Sequence, residues 1–327
     1  MIASIDFKDF KILREARIEF SPFNLIIGPN GSGKTSVIEA IRRLRNLASL
    51  PIVTSSVPAP PRASRLEFHF DPPQSGLSVV LSCTPDLACD GLQLVGTDAA
   101  QQNWRALADK LSMIRFHALD PVAMARPCSA DAPCELAEDG ANIAAALHSL
   151  NGKAPSDFSA IVAEFTRILP EFSKIETVAT RGNVEIEFEL RDEGHAIGAG
   201  DLSQGTLALL GILFLASAAP RPSLLCIEEI DRGLHPRVLR EARDALYRLS
   251  HPTDDAPSCQ VLATTHSPYL LDLFRDQPEE VIIAEKTGAR AGFRKLSEFP
   301  DLKELLSEAS LGDLWFSGVL GGVPDEE

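Results

Sequence analysis

Gly28-Pro29-Asn30-Gly31-Ser32-Gly33-Lys34-Thr35 is the stretch whose reading decides the fold. It meets the phosphate-loop pattern G-x-x-x-x-G-K-[ST] at every fixed position. Glycines let the backbone curl into a concave nest whose amide N–H groups converge on phosphate oxygens. The helix that follows adds the positive end of its dipole. Lys34 is then placed to reach the β- and γ-phosphates of a nucleoside triphosphate, and the Thr35 hydroxyl to ligate Mg²⁺. The flanks agree with this reading. Phe23-Asn24-Leu25-Ile26-Ile27 reads as a short buried strand, and Ser36-Val37-Ile38-Glu39-Ala40-Ile41 opens a helix.

Length and charge bound what surrounds the loop. The 327 residues suffice for one large α/β domain or two smaller ones. A formal charge of −15 makes the surface as a whole repel nucleic acid and anionic lipid. That argues against a protein that coats DNA and leaves room for one local basic groove. Met1 to Asp6 shows no basic region before an apolar core, so no secretory signal is expected. The longest apolar run, Leu207 to Ala219 broken by Ser217, is too short to span a bilayer and reads as a buried helix. A cytoplasmic protein without a membrane partner is the expectation. The cysteines at 83, 89, 128, 134, 226 and 259 are scattered. Pairing Cys83/Cys89 with Cys128/Cys134 around zinc needs spacings wider than the usual knuckle, so reduced structural thiols are expected.

The first segments alternate like paired strands: Ile5 to Phe7, then Arg17 to Phe20. A Pro/Ser-rich stretch, Pro51 to Ser64, reads as an exposed and mobile connection. Arg65 to Phe70 and Gly76 to Leu81 look like a hairpin, the antiparallel part of a mixed sheet. Pro121 to Cys134 is irregular, while Gly140 to Leu150 and Ser156 to Leu169 read as helices. Val184 to Leu190 alternates as a strand. Beyond Leu202 the strands become continuously apolar, as buried parallel sheets require: Leu224 to Ile227, Val261 to Thr265 and Val281 to Ala284. One compact unit follows, a split core of 1–120 and 206–327 with a helical insertion at 121–205.

Three further elements sit at the ends of these segments. Leu224 to Ile227 ends in Glu228-Glu229, and two carboxylates after a buried strand need a charged partner. Magnesium on a nucleotide at the neighbouring loop supplies it, since ligands of open α/β sheets bind at the strands' C-terminal ends. Pleat alternation sends adjacent residues to opposite faces, so Glu228 is the candidate to hold Mg²⁺ and Glu229 to take a proton from attacking water. Val261 to Thr265 ends in His266, with Ser267-Pro268 opening a helix behind it, so the imidazole can address a γ-phosphate. Leu202-Ser203-Gln204-Gly205-Thr206 precedes the long apolar helix and makes a second helix-end anion site. A homodimer has a use for both sites if each completes the other.

In this order the four elements resemble the ABC-type ATPases, most closely the soluble branch around RecF, SMC and OLD-type proteins, often called AAA-family ATPases of bacterial defence and repair. The resemblance covers most of the chain. Gly28 to Thr35 matches Walker A, Leu202 to Gly205 the signature, Leu224 to Glu229 Walker B with its catalytic glutamate, and His266 the switch histidine. Ile230-Asp231 falls where the D-loop lies. The run from Glu228 to Pro236 and the tail from Gly312 through Val323 also resemble that branch. The resemblance implies a P-loop α/β fold with an antiparallel N-terminal subsheet and a helical signature lobe. It implies hydrolysis of ATP with Mg²⁺ inside a head-to-tail dimer, with Ser203, Gln204, Gly205 and Asp231 of one copy completing the site of the other. The loop positions Gly28, Pro29, Asn30, Gly31, Ser32, Gly33, Lys34, Thr35 and Ser36 are the nucleotide contacts it implies. A separately encoded effector, such as a nuclease, and a setting in repair or phage defence follow by the same analogy.

Two departures stand out. Glu228 occupies the place of the usual Walker B aspartate, lengthening the reach while keeping the charge. The Q-loop glutamine has four candidates, Gln74, Gln93, Gln101 and Gln102. Other readings are a transporter's nucleotide-binding subunit and an antitoxin-like module that uses ATP as a dimerising ligand. Arg42, Arg43 and Arg45, and Lys8, Lys11, Arg14 and Arg17, read as solvated faces or as phosphate contacts. Trp315-Phe316 reads as packed at home or as an aromatic anchor for a partner.

Overall fold

The computed structural model describes residues 1–50, 64–84, 89–97, 102–192, 194–217, 219–253, 257–288 and 290–321. The Pro/Ser-rich stretch, except Ser64, lies outside the described residues, as do Gln101 and the tail beyond Gly321. Two compact units divide the chain: 1–115, 222–226 and 258–327 form the first, and 116–221 and 227–257 the second.

The first unit holds two sheets. Strands β1 (Ile2–Phe10), β2 (Leu13–Glu19), β4 (Ser64–Phe70), β5 (Leu77–Cys83) and β6 (Cys89–Gly96) form an antiparallel sheet in the order β2-β1-β4-β5-β6. The second sheet runs β15 (Arg290–Lys295), β14 (Val281–Thr287), β3 (Phe23–Ile27), β13 (Gln260–Thr265), β12 (Leu224–Ile227). Helices α1 (Lys34–Ala48), α2 (Trp104–Ser112), α8 (Pro268–Asp272), α9 (Leu302–Glu308) and α10 (Leu311–Phe316) belong to this unit. Every residue of β3 and β13 is buried, which explains why both are largely apolar, with Asn24 and Gln260 among the buried polar exceptions. Strand β3 pairs parallel with β13 and with β14, and Ile27 lies level with both Thr265 and Ile283. Gly28, His266 and Ala284 therefore leave the sheet at one edge.

Cys83 and Cys89 correct the expectation of reduced thiols, because they form a disulfide. Strands β5 and β6 pair antiparallel, and their register sets these two residues opposite each other, with Cα atoms 3.9 Å apart. The other four cysteines form no disulfide among the described residues.

The chain passes into the second unit through β7 (Arg115–His117) and again at Ile227, the last residue of β12. This unit carries α3 (Pro121–Met124), α4 (Ile143–Lys153), α5 (Pro155–Ile168), α6 (Gln204–Ser217) and α7 (Pro236–Ser250). The lobe expected to be helical also holds a sheet of β8 (Cys128–Ser129), β9 (Phe172–Thr180), β10 (Asn183–Leu190) and β11 (Ala196–Gly198). Strand β10 buries Val184, Ile186 and Phe188 on alternate positions and turns its glutamates outward. Phe165, Phe172 and Phe188 meet there with ring centroids 5.6–5.7 Å apart.

Helix α6 accounts for a partition that differs from the boundaries read at 120 and 205. Leu207 through Leu215 are all buried, so the helix is apolar around its whole circumference and needs neighbours on every side. It contacts α3, α5 and α7, which draws 206–221 and 227–257 into one core with the lobe. Gly211 lets Leu119 and Met124 close on that helix, since a Cβ there would stand 2.9 Å from each. Among the described residues no helix is long and apolar enough to cross a membrane.

Candidate functional site

The phosphate loop grows out of β3 in the first unit. Gly28 is buried, and a Cβ there would stand 2.5 Å from the Ala284 carbonyl oxygen and 2.7 Å from Ser32 Oγ. Gly31 and Gly33 have φ of +73° and +97°, in the left-handed region where glycine is favoured. Gly33 caps α1, and a Cβ on it would press on Leu13 Cδ2 at 2.9 Å. Lys34 is buried, and its ammonium donates to the carbonyls of Gly28 at 2.6 Å and Pro29 at 3.0 Å. Asn30, Gly31 and Thr35 are exposed, while Ser32 and Ser36 are buried.

Ser32 Oγ is buried with no hydrogen-bond partner among the described residues. Orphaned hydroxyls of this kind are rare in folded proteins. A phosphate oxygen seated in the nest would satisfy it, and the Thr35 hydroxyl has the donor chemistry that Mg²⁺ takes. The loop fits a nucleoside phosphate.

His266 is exposed at the same edge. Behind it, Thr265 Oγ1 accepts from Ser267 N at 2.9 Å and Ser267 Oγ from Leu270 N at 3.3 Å. The two hydroxyls cap α8 and set the chain direction at the histidine.

In the second unit, the Glu228 amide donates to the His117 carbonyl at 2.8 Å. Glu228 is half-buried and Glu229 exposed. The strand ends at Ile227, and Glu229 has φ +48°, so pleat alternation does not reach the pair. A tight turn opens at Glu229 instead: Arg232 N donates to Glu229 O at 2.8 Å and Leu234 N to Asp231 O at 3.1 Å, with Gly233 at φ +74°. A non-glycine residue in this conformation costs about 1 kcal/mol and marks a functional turn more often than chance. The His235-Pro236 pair starts α7, with His235 Nδ1 accepting from Arg237 N at 3.2 Å and Pro236 in the first turn.

Helix α6 begins at Gln204, inside the pentapeptide expected to precede it. Ser203 Oγ accepts from Thr206 N at 3.1 Å and shares a hydrogen with Thr206 Oγ1 at 2.8 Å. Ser203 and Gln204 are exposed. Gly205 faces the Gly233 carbonyl with no room for a side chain. The signature turn and the acidic turn from Glu229 to Gly233 are thus packed together inside one unit.

Lys11, Arg14, Arg17, Arg43 and Arg45 are engaged at home. Lys11 pairs with Glu39, and Arg43 donates to the same carboxylate at 2.5 Å while lying 5.7 Å above the Phe10 ring. Burial holds the Arg43 guanidinium below its ordinary pKa. Arg45 reaches the Ile114 carbonyl at 3.3 Å, Arg14 pairs with Asp9, and Arg17 pairs with Glu19 and Asp6. The Glu19 hydrogen bond raises the pKa of Arg17. Of the glutamines, Gln74 is buried in the turn before β5, Gln93 is exposed on β6, and Gln102 is exposed before α2. Phe316 is 85% exposed beside Trp315.

Sequence reading missed Asn142. Its buried amide donates to the carbonyls of Pro133 and Glu135, each at 2.8 Å, and accepts from Ala137 N at 2.7 Å. Residues 137–139 then run beside 117–120: Ala118 N donates to Glu138 O at 2.8 Å and Asp120 N to Asp139 O at 2.9 Å. The His117 carbonyl that holds Glu228 belongs to that ladder. A lone asparagine before a helix carries no motif that would have found it.

Comparison with known proteins places the chain among ATPase relatives. Residues 135–272 match a family model described as "AAA domain, putative AbiEii toxin, Type IV TA system", and residues 1–71 match one described as "AAA ATPase domain". The OLD nuclease of Thermus scotoductus is 23% identical over 329 aligned positions, covering 84% of this chain and 60% of that protein. The DNA replication and repair protein RecF of Erwinia tasmaniensis is 55% identical over 38 residues, 11% of this chain and 10% of that one. The chain thus spans less than two thirds of either relative. An SMC head bound to the C-terminal winged-helix domain of ScpA superposes with a TM-score of 0.62 at 17% identity, covering 92% of this chain and 99% of that one. The SMC head of Thermotoga maritima gives 0.53 at 14% identity, with 90% and 98% covered. At such identities the likeness speaks for the fold. The chain thus carries matches to AAA ATPase family models over 1–71 and 135–272, is similar to the OLD nuclease over most of its length, and has the fold of SMC heads.

Proposed function

We propose that the chain binds ATP with Mg²⁺, closes with a second copy around two ATP molecules, and opens again as it hydrolyses ATP to ADP and phosphate. The observation that carries this reading is the start of α6. Ser203 and Gln204 stand in solvent, while Gly205 is locked on the turn that follows Glu229. A helix end built for an anion and the candidate hydrolytic acid thereby share one packed piece of the second unit.

Each residue has a part in the proposed cycle. The amides of 28–35 and the Lys34 ammonium hold the phosphates, and Ser32 Oγ gains the partner it lacks. Thr35 and Glu228 hold Mg²⁺, which when bound offsets charge on the β- and γ-phosphate oxygens. Glu229 accepts the proton of the attacking water, and His266 donates to the γ-phosphate. Ser203, Gln204, Gly205 and Asp231 of one copy complete the site of the other. The similarity to proteins named for nuclease action and for DNA replication and repair supports a setting in DNA repair or phage defence. A separately encoded effector and a cytoplasmic setting belong to the same proposal.

Size-exclusion chromatography with light scattering tests it. Wild-type protein should run as a dimer with ATP and Mg²⁺ and as a monomer with ADP. Ser203→Arg should bind ATP equally well and stay monomeric, because a long cation blocks the helix end that receives the partner's nucleotide. A variant that still dimerises with ATP would sink the completion of the site in trans. The match of 135–272 to a toxin–antitoxin family model favours a second reading, a slow ATP-gated module. Turnover well below one per minute with intact dimerisation would select it.

A further inference from the structure

We propose that Lys286 is a second phosphate-contacting lysine of the ATP site, and that it favours the triphosphate over the diphosphate. The inference rests on the ATP-site reading given above and adds a residue that the phosphate-loop pattern does not contain. It starts from the register of β14. Ile283 lies level with Ile27, so the next residues of β14 run beside the phosphate loop. Side chains of a strand alternate between faces, which puts Ala284 and Lys286 on one face and Glu285 on the other.

Contacts on both faces bear this out. Ala284 closes on Gly28, whose Cβ position lies 2.8 Å from Ala284 Cβ. Two residues on, the Lys286 ammonium lies 3.7 Å from the Cβ position of Gly31, at the exposed apex of the loop. Glu285 points the other way, pairs with Arg294, and stands against Gly321. The nearest carboxylate in sequence is therefore spent elsewhere. Lys286 makes no ion pair among the described residues, in contrast to Lys11 and Arg43, which share Glu39.

The two lysines sit on different arms of the loop. Lys34 is drawn to the carbonyls of Gly28 and Pro29, where the loop leaves β3. Lys286 stands at Gly31, where the loop is open to solvent. A point-charge ammonium with three donors is a general phosphate ligand. Placed at the open arm, it gains most from the ligand with the longer and more highly charged phosphate chain. Its exposure makes the contribution sensitive to salt.

Equilibrium binding of ATP and ADP, each with Mg²⁺, to wild type, Lys286→Ala, Lys286→Arg and Lys34→Ala tests the proposal at low and at physiological salt. Lys286→Ala should weaken ATP about tenfold and ADP by less than about threefold, with the gap narrowing as salt rises. Lys286→Arg should keep most of the ATP affinity. Unchanged ATP binding in folded Lys286→Ala overturns the proposal, and equal losses for ATP and ADP overturn the discrimination. Wild-type protein that binds neither nucleotide would overturn the ATP site itself, an outcome distinct from the other two. Melting curves of all four proteins guard against misfolding, and an exposed strand-end lysine should tolerate either substitution.

Discussion

Gly205 and Gly233 meet so closely that a Cβ on Gly205 would collide with the Gly233 carbonyl oxygen. The contact joins the first turn of α6 to the turn that carries Glu229 and Asp231. Gly205→Ala should therefore displace the acidic turn instead of merely stiffening a helix end. Overpacking at such a backbone contact costs about 1–3 kcal/mol. Nucleotide binding at the loop should survive, because the loop belongs to the other unit. ATP turnover should fall at least tenfold with a lowered melting temperature. A variant with wild-type turnover would show that the two turns move independently.

Glu229 at φ +48° allows chemistry and strain to be separated. Glu229→Gln keeps the backbone and removes the base, so ATP should bind normally while turnover drops by about 10²–10⁴. Glu229→Gly removes the base and also relieves the left-handed conformation, worth about 1 kcal/mol. It should melt no lower than Glu229→Gln while being equally inactive. Steady-state phosphate release and thermal melting measure both. Turnover near wild type in Glu229→Gln would remove this residue from the role of base.

Much of this arrangement was legible in the sequence, for physical reasons. The phosphate loop needs glycines at Gly28, Gly31 and Gly33 for conformations and close approaches that other residues cannot meet, so its pattern is written in residue identity. Strands β3, β12 and β13 are buried on both faces and read as largely apolar runs. The burial of α6 is equally plain from Leu207 to Leu215. Contacts between segments distant in the chain were not legible. The Cys83–Cys89 bridge depends on the β5–β6 register, the Asn142 clamp on three backbone groups with no sequence mark, and Lys286 on the level of β14 against β3. The pleat argument for Glu228 and Glu229 does not reach the pair, since the strand ends at Ile227 and Glu229 takes φ +48°.

Asn142 ties this distant loop to Walker B. Asn142→Ala would leave the Pro133 and Glu135 carbonyls and the Ala137 amide without their buried partner, a cost of roughly 2 kcal/mol or more. The 137–139 segment should then loosen its ladder with 117–120, and with it the His117 carbonyl that holds Glu228. Both melting temperature and turnover should fall. Asn142→Asp should do worse, since it presents a carboxylate to two carbonyls in place of an amide. A stable Asn142→Asp protein with full turnover would refute the clamp.

Cys134 supplies a pH-dependent prediction. Its sulfur is exposed and accepts hydrogen bonds from Ser149 Oγ at 3.0 Å and Lys153 Nζ at 3.1 Å. The Ser149 hydrogen bond, and after it that from Lys153, lowers the thiol pKa below its ordinary value. A lowered pKa means that the thiolate is populated at lower pH than in a free cysteine, and the thiolate is the form that alkylates. Labelling by iodoacetamide should accordingly rise through a midpoint below that of a model thiol. Ser149→Ala should move the midpoint upward, and Ser149→Ala with Lys153→Ala further still. Cys226 and Cys259 are buried and should label only on unfolding, which gives an internal reference in the same digest. If Cys134 follows the pH profile of a free thiol in the wild type, or ignores both substitutions, the hydrogen bonds from α4 do not stabilise the thiolate.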